Sequence, residues 1–559
     1  MASHRSSLLL LALLTFGLAA PAQMDMSGHV MSVKDQVPPE QLPEARELTG
    51  IGNVHMEITA TPEAQMWFNQ GLNLLFDFWD YESARAFEQG VRVDPQCAMC
   101  YWGLYKAETF FHSITQGYAA RSLAAAEKLK DRVSPRERLY IEATTARPNA
   151  NATALWRRLV KEAPGDVPAR LFLSQTVARD ESLAILESIL KEDPENSAAN
   201  HAYIHALEWT DHPEKALHSA EILARLAPAS GHMVHMPGHI FFRIGDYVRA
   251  EQSFGTALQV DEAYMRDQHV SADDNWNYVH NLMYAIANLV EEGKWKDAAA
   301  LSPKLPDARG QLPSTMYVYS TRDSITRLDP RLPVALRTAD WARVLEFLKA
   351  AEPPKSRPNL GFLARALADF AAGMRAVEGK DFAKAEEASA SLDAGLKQMR
   401  PAANAARATD PGPLKLEVEA DALLQPLMSS LSIMSLELRA SILAGQGKVS
   451  EAKTLFASAA QEEERLGYRE PPAYIRPVAE TEAAAWMAAG DWPGARAAWL
   501  RALKERPRSG FALYGLALTA EKSGDSAATA KGYADFLTAW DHADPELPQL
   551  AHAKAYLAR

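Results

Sequence analysis

A short grammar of Gly, aromatic and Ala positions returning every thirty-four residues constrains this chain more than any other feature. Gly490-Asp491-Trp492 leads to Ala495, Trp499, Ala502 and Pro507, and Gly524 follows Gly490 by one such period. The same order appears at Gly245-Asp246-Tyr247 with Ala250, Phe254 and Ala257, and at Gly447-Lys448-Val449 with Ala452, Phe456 and Ala459. Diverged copies run from Gly293-Lys294-Trp295 to Ala298 and from Gly379 through Phe382 to Ala385, and Tyr81, Phe87, Gly90 and Asp94-Pro95 mark an irregular early one. A period of roughly 20 to 50 residues signals units that cannot bury their apolar faces alone and must stack on their neighbours. Gly and Asp end one helix and start the next, the aromatic wedges the two together, and Ala lets the backbones approach closely. Trp79, Trp295, Trp341 and Trp492 fall at such wedge positions and are expected in the core.

The A-x3-aromatic spacing and closing Pro resemble the tetratricopeptide repeat (TPR). That resemblance implies an all-α fold, a TPR-type α-solenoid in which antiparallel helix pairs wind into a superhelix with a concave side. At 559 residues the chain exceeds one compact core, and a repeat array accommodates the excess. The expected organisation is a signal peptide over 1–22, an extended lead-in over 23–60 and a repeat array over 61–301. An irregular, Pro-rich connector with Tyr317 and Tyr319 follows over 302–333, then diverged repeat-like helices over 334–400, a second connector over 401–426 around Asp410-Pro411-Gly412-Pro413, and a C-terminal array over 427–559.

Arg5, the apolar run Leu8 to Ala20 and the small residues Ala20-Pro21-Ala22 read as a cleavable export signal, which predicts a periplasmic or secreted protein beginning near Gln23. No membrane span is expected after cleavage. The formal charge of −12 argues against a general nucleic-acid or anionic-membrane binder, whose partners demand basic surface.

Nine of the fifteen histidines lie between His201 and His280. His201 and His205 recur one period later as His235 and His239, and residues four apart share a helix face, so each pair aims its imidazoles in one direction. The family resemblance implies that positions two, five, nine, twelve and thirteen of the first helix line the concave groove. His201 and His205 fall at five and nine, Glu208 at twelve and Trp209 at thirteen; His235 and His239 repeat five and nine, and His232 and His280 stand at position two of successive copies. The segments CAMCYWG, HAYIHALE, HMPGHI and NWNYVHN resemble those of a group of exported bacterial TPR proteins, a likeness covering mainly residues 63 to 300 that carries no established reaction.

Three functions fit these residues. The first is a non-catalytic scaffold binding a peptide or protein segment in the His/Glu/Trp-lined groove, since solenoid grooves hold chains. The second is a transition-metal protein for Cu or Zn, with His201, His205, His235 and His239 completing a four-nitrogen shell, because neutral imidazole suits both ions. The third is a metal-dependent enzyme with Glu208 as base. His212 and His218 fit hydrogen-bonding roles better. Met24, Met26, His29 and Met31 form a soft-ligand tract. Asp273-Asp274 are read as groove-mouth oxygen ligands or a helix cap. Cys97 and Cys100 are expected as a disulfide rather than a redox or metal pair, and Tyr101 in place of His disfavours covalent haem. No nucleophile elbow, zinc-protease helix or phosphate loop is present.

Overall fold

The computed structural model describes residues 38–111, 117–147, 149–272, 275–308, 321–408 and 425–559. These residues form an all-α array in which consecutive helices pack on one another along the chain. The repeat grammar explains the hairpins that carry it. Gly245 takes φ +77 and Gly490 φ +76, the left-handed conformation that stops a helix and that glycine adopts without a Cβ penalty. The Gly245 and Asp246 amides return to the carbonyls of Phe242 and Phe241, which closes the first helix. Asp246 then caps the Tyr247–Gln268 helix by accepting from the Arg249 amide, and Asp491 caps Trp492–Glu505 in the same way. The alanines at the repeat position, Ala250, Ala298, Ala385, Ala452 and Ala495, are fully buried where paired helices touch. Of the wedge tryptophans, only Trp341 is buried; Trp79, Trp295 and Trp492 are half-buried, because an aromatic at a helix start caps the hairpin edge with one face still in water.

Three large apolar clusters follow one another along the chain, and the ends are tied back to the middle. The Trp540 indole donates to the Glu291 carbonyl at 2.7 Å, Tyr247 donates to the Pro507 carbonyl at 3.0 Å, and near the other end Tyr264 donates to Glu82 at 2.7 Å. The Gln425–Gly445 helix is long and apolar enough to cross a membrane, but Leu427, Leu431, Met434 and Leu438 place it inside the core. Cys97 and Cys100 form a disulfide at the start of the Ala98–Phe111 helix. The segment Arg46 to Thr59 runs as an extended strap across the Pro62–Phe76 helix, whose carboxamides read its backbone. Asn73 accepts from the Val54 amide and donates to the Val54 carbonyl, both at 2.8 Å, while Gln65 and Gln70 do the same for Ile58/Met56 and Leu48/Arg46. The Gly50 carbonyl of this strap accepts from the Ala229 amide, next to a helix that carries the histidines.

The helix Phe382–Ala408 continues into the segment assigned to the second connector. The segment 1–22 expected as a signal peptide, the Met24–Met31 tract, Asp273-Asp274, Tyr317, Tyr319 and Asp410-Pro411-Gly412-Pro413 lie outside the described residues.

Candidate metal centre

Three helices carry the histidines. Asn196 caps Ser197–Glu208 and Ser230 caps Gly231–Arg243, each accepting an amide of the first turn, and Trp276–Glu291 supplies the third face. Gly238 lets the middle helix approach the next one, because a Cβ there would meet the Phe254 ring at 2.4 Å.

His201, His232, His235, His239, His280 and Glu208 are all buried, so they line a closed chamber rather than the open groove expected from repeat register. Two contacts close it. Phe78 lies against His201, His205 and His232 with ring centroids 4.8, 5.3 and 5.5 Å apart. From the C-terminal half, Tyr468 stacks edge-on to Trp209 and meets the Tyr284 hydroxyl, and Glu470 brings Oε2 to 3.8 Å from His239 Nδ1 and 3.9 Å from His280 Nε2. Among the described residues, His205 at 10% side-chain exposure, Glu470 at 18% and the half-buried Trp209, Trp276 and Tyr468 rings reach towards solvent.

The four histidines at positions five and nine do not converge on one point. The structure groups the imidazoles into His201, His205 and His232 and into His235, His239 and His280, with the candidate ligand atoms of each set within 4.8 Å of one another. The reason is the packing distance of neighbouring helices, about 8–10 Å between axes, which holds the pairs of successive repeats apart. Each pair instead meets the position-two histidine of the next copy. A third set, His205, Glu208 and Glu470, lies at the seam.

The outer ring nitrogens have oxygen partners that define the tautomers. His201 Nδ1 is 2.6 Å from the Phe76 carbonyl, which can only accept, and His205 Nδ1 is 2.6 Å from Glu208 Oε1. His239 Nδ1 donates to Glu208 Oε2. His235 Nδ1 is 2.9 Å from Asn281 Oδ1, and that amide must turn its oxygen to the ring because its nitrogen donates to the Phe254 carbonyl at 3.1 Å. His232 Nδ1 is held by Asn277 Oδ1 at 3.1 Å, leaving a buried Nε2 with no hydrogen-bond partner. With protons on Nδ1, the Nε2 lone pairs point inward. His201 and His205 bring theirs to 3.1 Å and His235 and His239 to 2.6 Å.

Two facing lone pairs repel unless a proton or a cation stands between them. Protonation is opposed here: burial first, and then neighbouring imidazoles, holds His201 and His232 well below the ordinary histidine value, and burial likewise lowers His235 and His239. Burial alone would raise the Glu208 carboxyl, but His239 and His205, which donate to it, hold it below the carboxylate range. Glu208 also accepts from the Trp209 indole at 3.0 Å. With three N–H donors on its oxygens it orients imidazoles, which leaves it poorly placed as the base of a hydrolytic reaction. His212, paired with Glu214 at 3.1 Å, and His218 are exposed and outside the chamber.

Sequence reading missed Phe78, Tyr284, Tyr468 and Glu470. Asn277 and Asn281 carried a signal, since they sit three residues before and one residue after His280 on one helix, but the imidazole donors they serve, His232 and His235, stand on another helix. Glu470 had none.

No protein-family profile matches the chain, and no curated protein does. Among solved structures it is similar to yeast Tom70, at 12% identity over 89% of this chain and 96% of that one with a TM-score of 0.27. It is similar to a human IFIT1 dimer with m7Gppp-AAAA, at 14% over 86% and 96% with 0.30, and to the TPR domain of P58(IPK), at 14% over 70% and 98% with 0.19.

Proposed function

We propose that this helical-repeat protein binds a late first-row transition metal, copper or zinc, in the buried histidine chamber, and that it does so as an exported protein. The observation that carries the reading is the inward-facing Nε2 pairs, each imidazole pinned from behind through Nδ1 by a carbonyl, amide oxygen or carboxylate. That outer ring of oxygens fixes ring orientation and tautomer, as metal-binding histidines require. An all-imidazole set suits copper and zinc over magnesium or calcium, which take oxygen ligands. The Cys97–Cys100 disulfide accords with an oxidising compartment.

Metal analysis of untagged protein tests this. Copper or zinc above trace level, lost on His201→Ala/His235→Ala replacement, is the expected result; protein that stays metal-free after supplementation with either ion overturns it.

A peptide-binding role has one observation of its own. The scaffold already grips an extended segment, Arg46 to Thr59, by backbone-reading carboxamides, a mode indifferent to side-chain identity. A chain lacking residues 23–60 would then bind a synthetic peptide of residues 44–60 in trans, and failure to bind it removes this second reading.

A further inference from the structure

Resting on that metal reading, we propose that the chamber holds two ions side by side, one on His201, His205 and His232 and the other on His235, His239 and His280.

A single coordination shell with metal–nitrogen distances of about 2.0–2.1 Å is about 4.2 Å across, so every ligand atom of one ion lies within that span of the others. Among the described residues the mutually close histidine sets contain three imidazoles each, and none contains six. The sets nevertheless adjoin. His232 of the first stacks at 6.0 Å on His235 of the second and lies 6.4 Å from His280, centroid to centroid.

The repeat register accounts for two sites and for no third. One site consists of the position-five and position-nine histidines of one copy plus the position-two histidine of the next. At the copy that begins with His280, positions five and nine are Met283 and Ala287, so the series stops. In the first copy position two is Ala198, so no earlier pair is completed. The pattern therefore produces two triads by translation along the solenoid.

Two cations close together repel, and the chamber supplies the compensating charge at the seam between them. Glu208 accepts from His205 of one triad and His239 of the other, so one carboxylate orients a ligand of each ion. Glu470 lies with His205 and Glu208 on one side and within 3.9 Å of His280 on the other. Three imidazoles leave a four-coordinate ion one position for a small ligand such as water or hydroxide.

The test is a titration of chelator-treated, untagged full-length protein with zinc or copper, followed by desalting and metal analysis. The breakpoint and retained stoichiometry are expected at two ions per chain. His232→Gln and His280→Gln should each retain one ion, and the double variant none, with far-UV circular dichroism confirming that each variant is folded. A wild-type breakpoint at one ion per chain overturns the pair while leaving the metal reading standing; no retained ion at all overturns both. Loss of both ions on either single substitution, in a folded variant, overturns the assignment of one ion to each triad. Should a variant not fold, the wild-type breakpoint alone decides between two and one.

Discussion

Two of the buried polar centres among the described residues solve the same problem in opposite ways. Arg337 donates to both oxygens of Glu291 at 2.7 and 2.9 Å and to both oxygens of Glu480 at 2.7 and 2.8 Å, with Arg506 3.6 Å from Glu291 and Ser509 donating to it. Every charge in that knot meets an opposite one inside the protein. Burial would raise Glu291, but Arg337 holds it below the carboxylate range. In the histidine chamber the outer nitrogens are satisfied while the inner lone pairs face one another. The knot is complete as the chain folds; on the proposed metal reading, the chamber is completed by a cation from outside. Buried polar groups must be neutralised by partners, and where the chain itself withholds the partner, the proposed metal supplies it.

Breaking the knot should cost most. Arg337→Ala strands two buried carboxylates and is expected to destabilise the fold by about 3–5 kcal/mol in urea unfolding, equally with and without metal. A loss below about 1 kcal/mol, or one that depends on metal, would remove the distinction between the centres.

Next comes metal itself. Free zinc or copper at about 100 times its dissociation constant should stabilise the native state by about 2.7 kcal/mol for each ion bound, raising the midpoint of thermal unfolding, whereas the His201→Ala/His235→Ala variant shows no rise. An equal rise in that variant would place the ion elsewhere.

A subtler change separates orientation from ligation. Glu208→Gln removes the charge behind His205 and His239 without removing an imidazole, so metal affinity should fall about 10–100-fold while stoichiometry persists. Competition against a chromophoric chelator measures it; unchanged affinity would make Glu208 a purely structural acceptor.

Acid gives the shallowest effect per residue. The lowered values of His201, His232, His235 and His239 mean that, below about pH 6.5, these four side chains bind more protons in the unfolded chain than in the folded one. Their contribution to the stability of the metal-free protein should therefore fall with pH below that point, by up to about 1.4 kcal/mol per unit for each such histidine, while buried carboxyls with raised values, such as Glu108 and Asp261, contribute in the opposite sense. The Glu291 contribution to the knot has the opposite origin, a lowered carboxylate, and persists until pH drops below the ordinary carboxylate range. The difference in unfolding free energy between the wild type and the His201→Ala/His235→Ala variant isolates the histidine contribution, and a difference that does not change between pH 7 and 5 would contradict the neutral, buried state of the chamber.

Much of the architecture was legible in local grammar. Gly245-Asp246 and Gly490-Asp491 name a helix stop and a helix cap, and Ala250 and Ala495 name the contact between paired helices, because these depend on backbone conformation and side-chain size at neighbouring positions. The i, i+4 pairs His201/His205 and His235/His239 were legible for the same reason. Their combination was not. A four-nitrogen shell looks reasonable from register alone, and only the spacing between stacked helices shows that each pair reaches forward to the next repeat, to His232 and His280. The half-buried state of Trp79, Trp295 and Trp492 likewise depends on which hairpin edges later elements cover.

By itself the sequence determined the helix pairs, their order and the face on which the histidines stand, since each follows from residues within about one period of one another. Tertiary structure alone decided that this face is closed, that Phe78 and Glu470 close it, and that six imidazoles divide into two sets of three. Those outcomes depend on how far a superhelix of many small rotations brings Tyr468 and Glu470 back towards His239, a distance through space that no local spacing encodes.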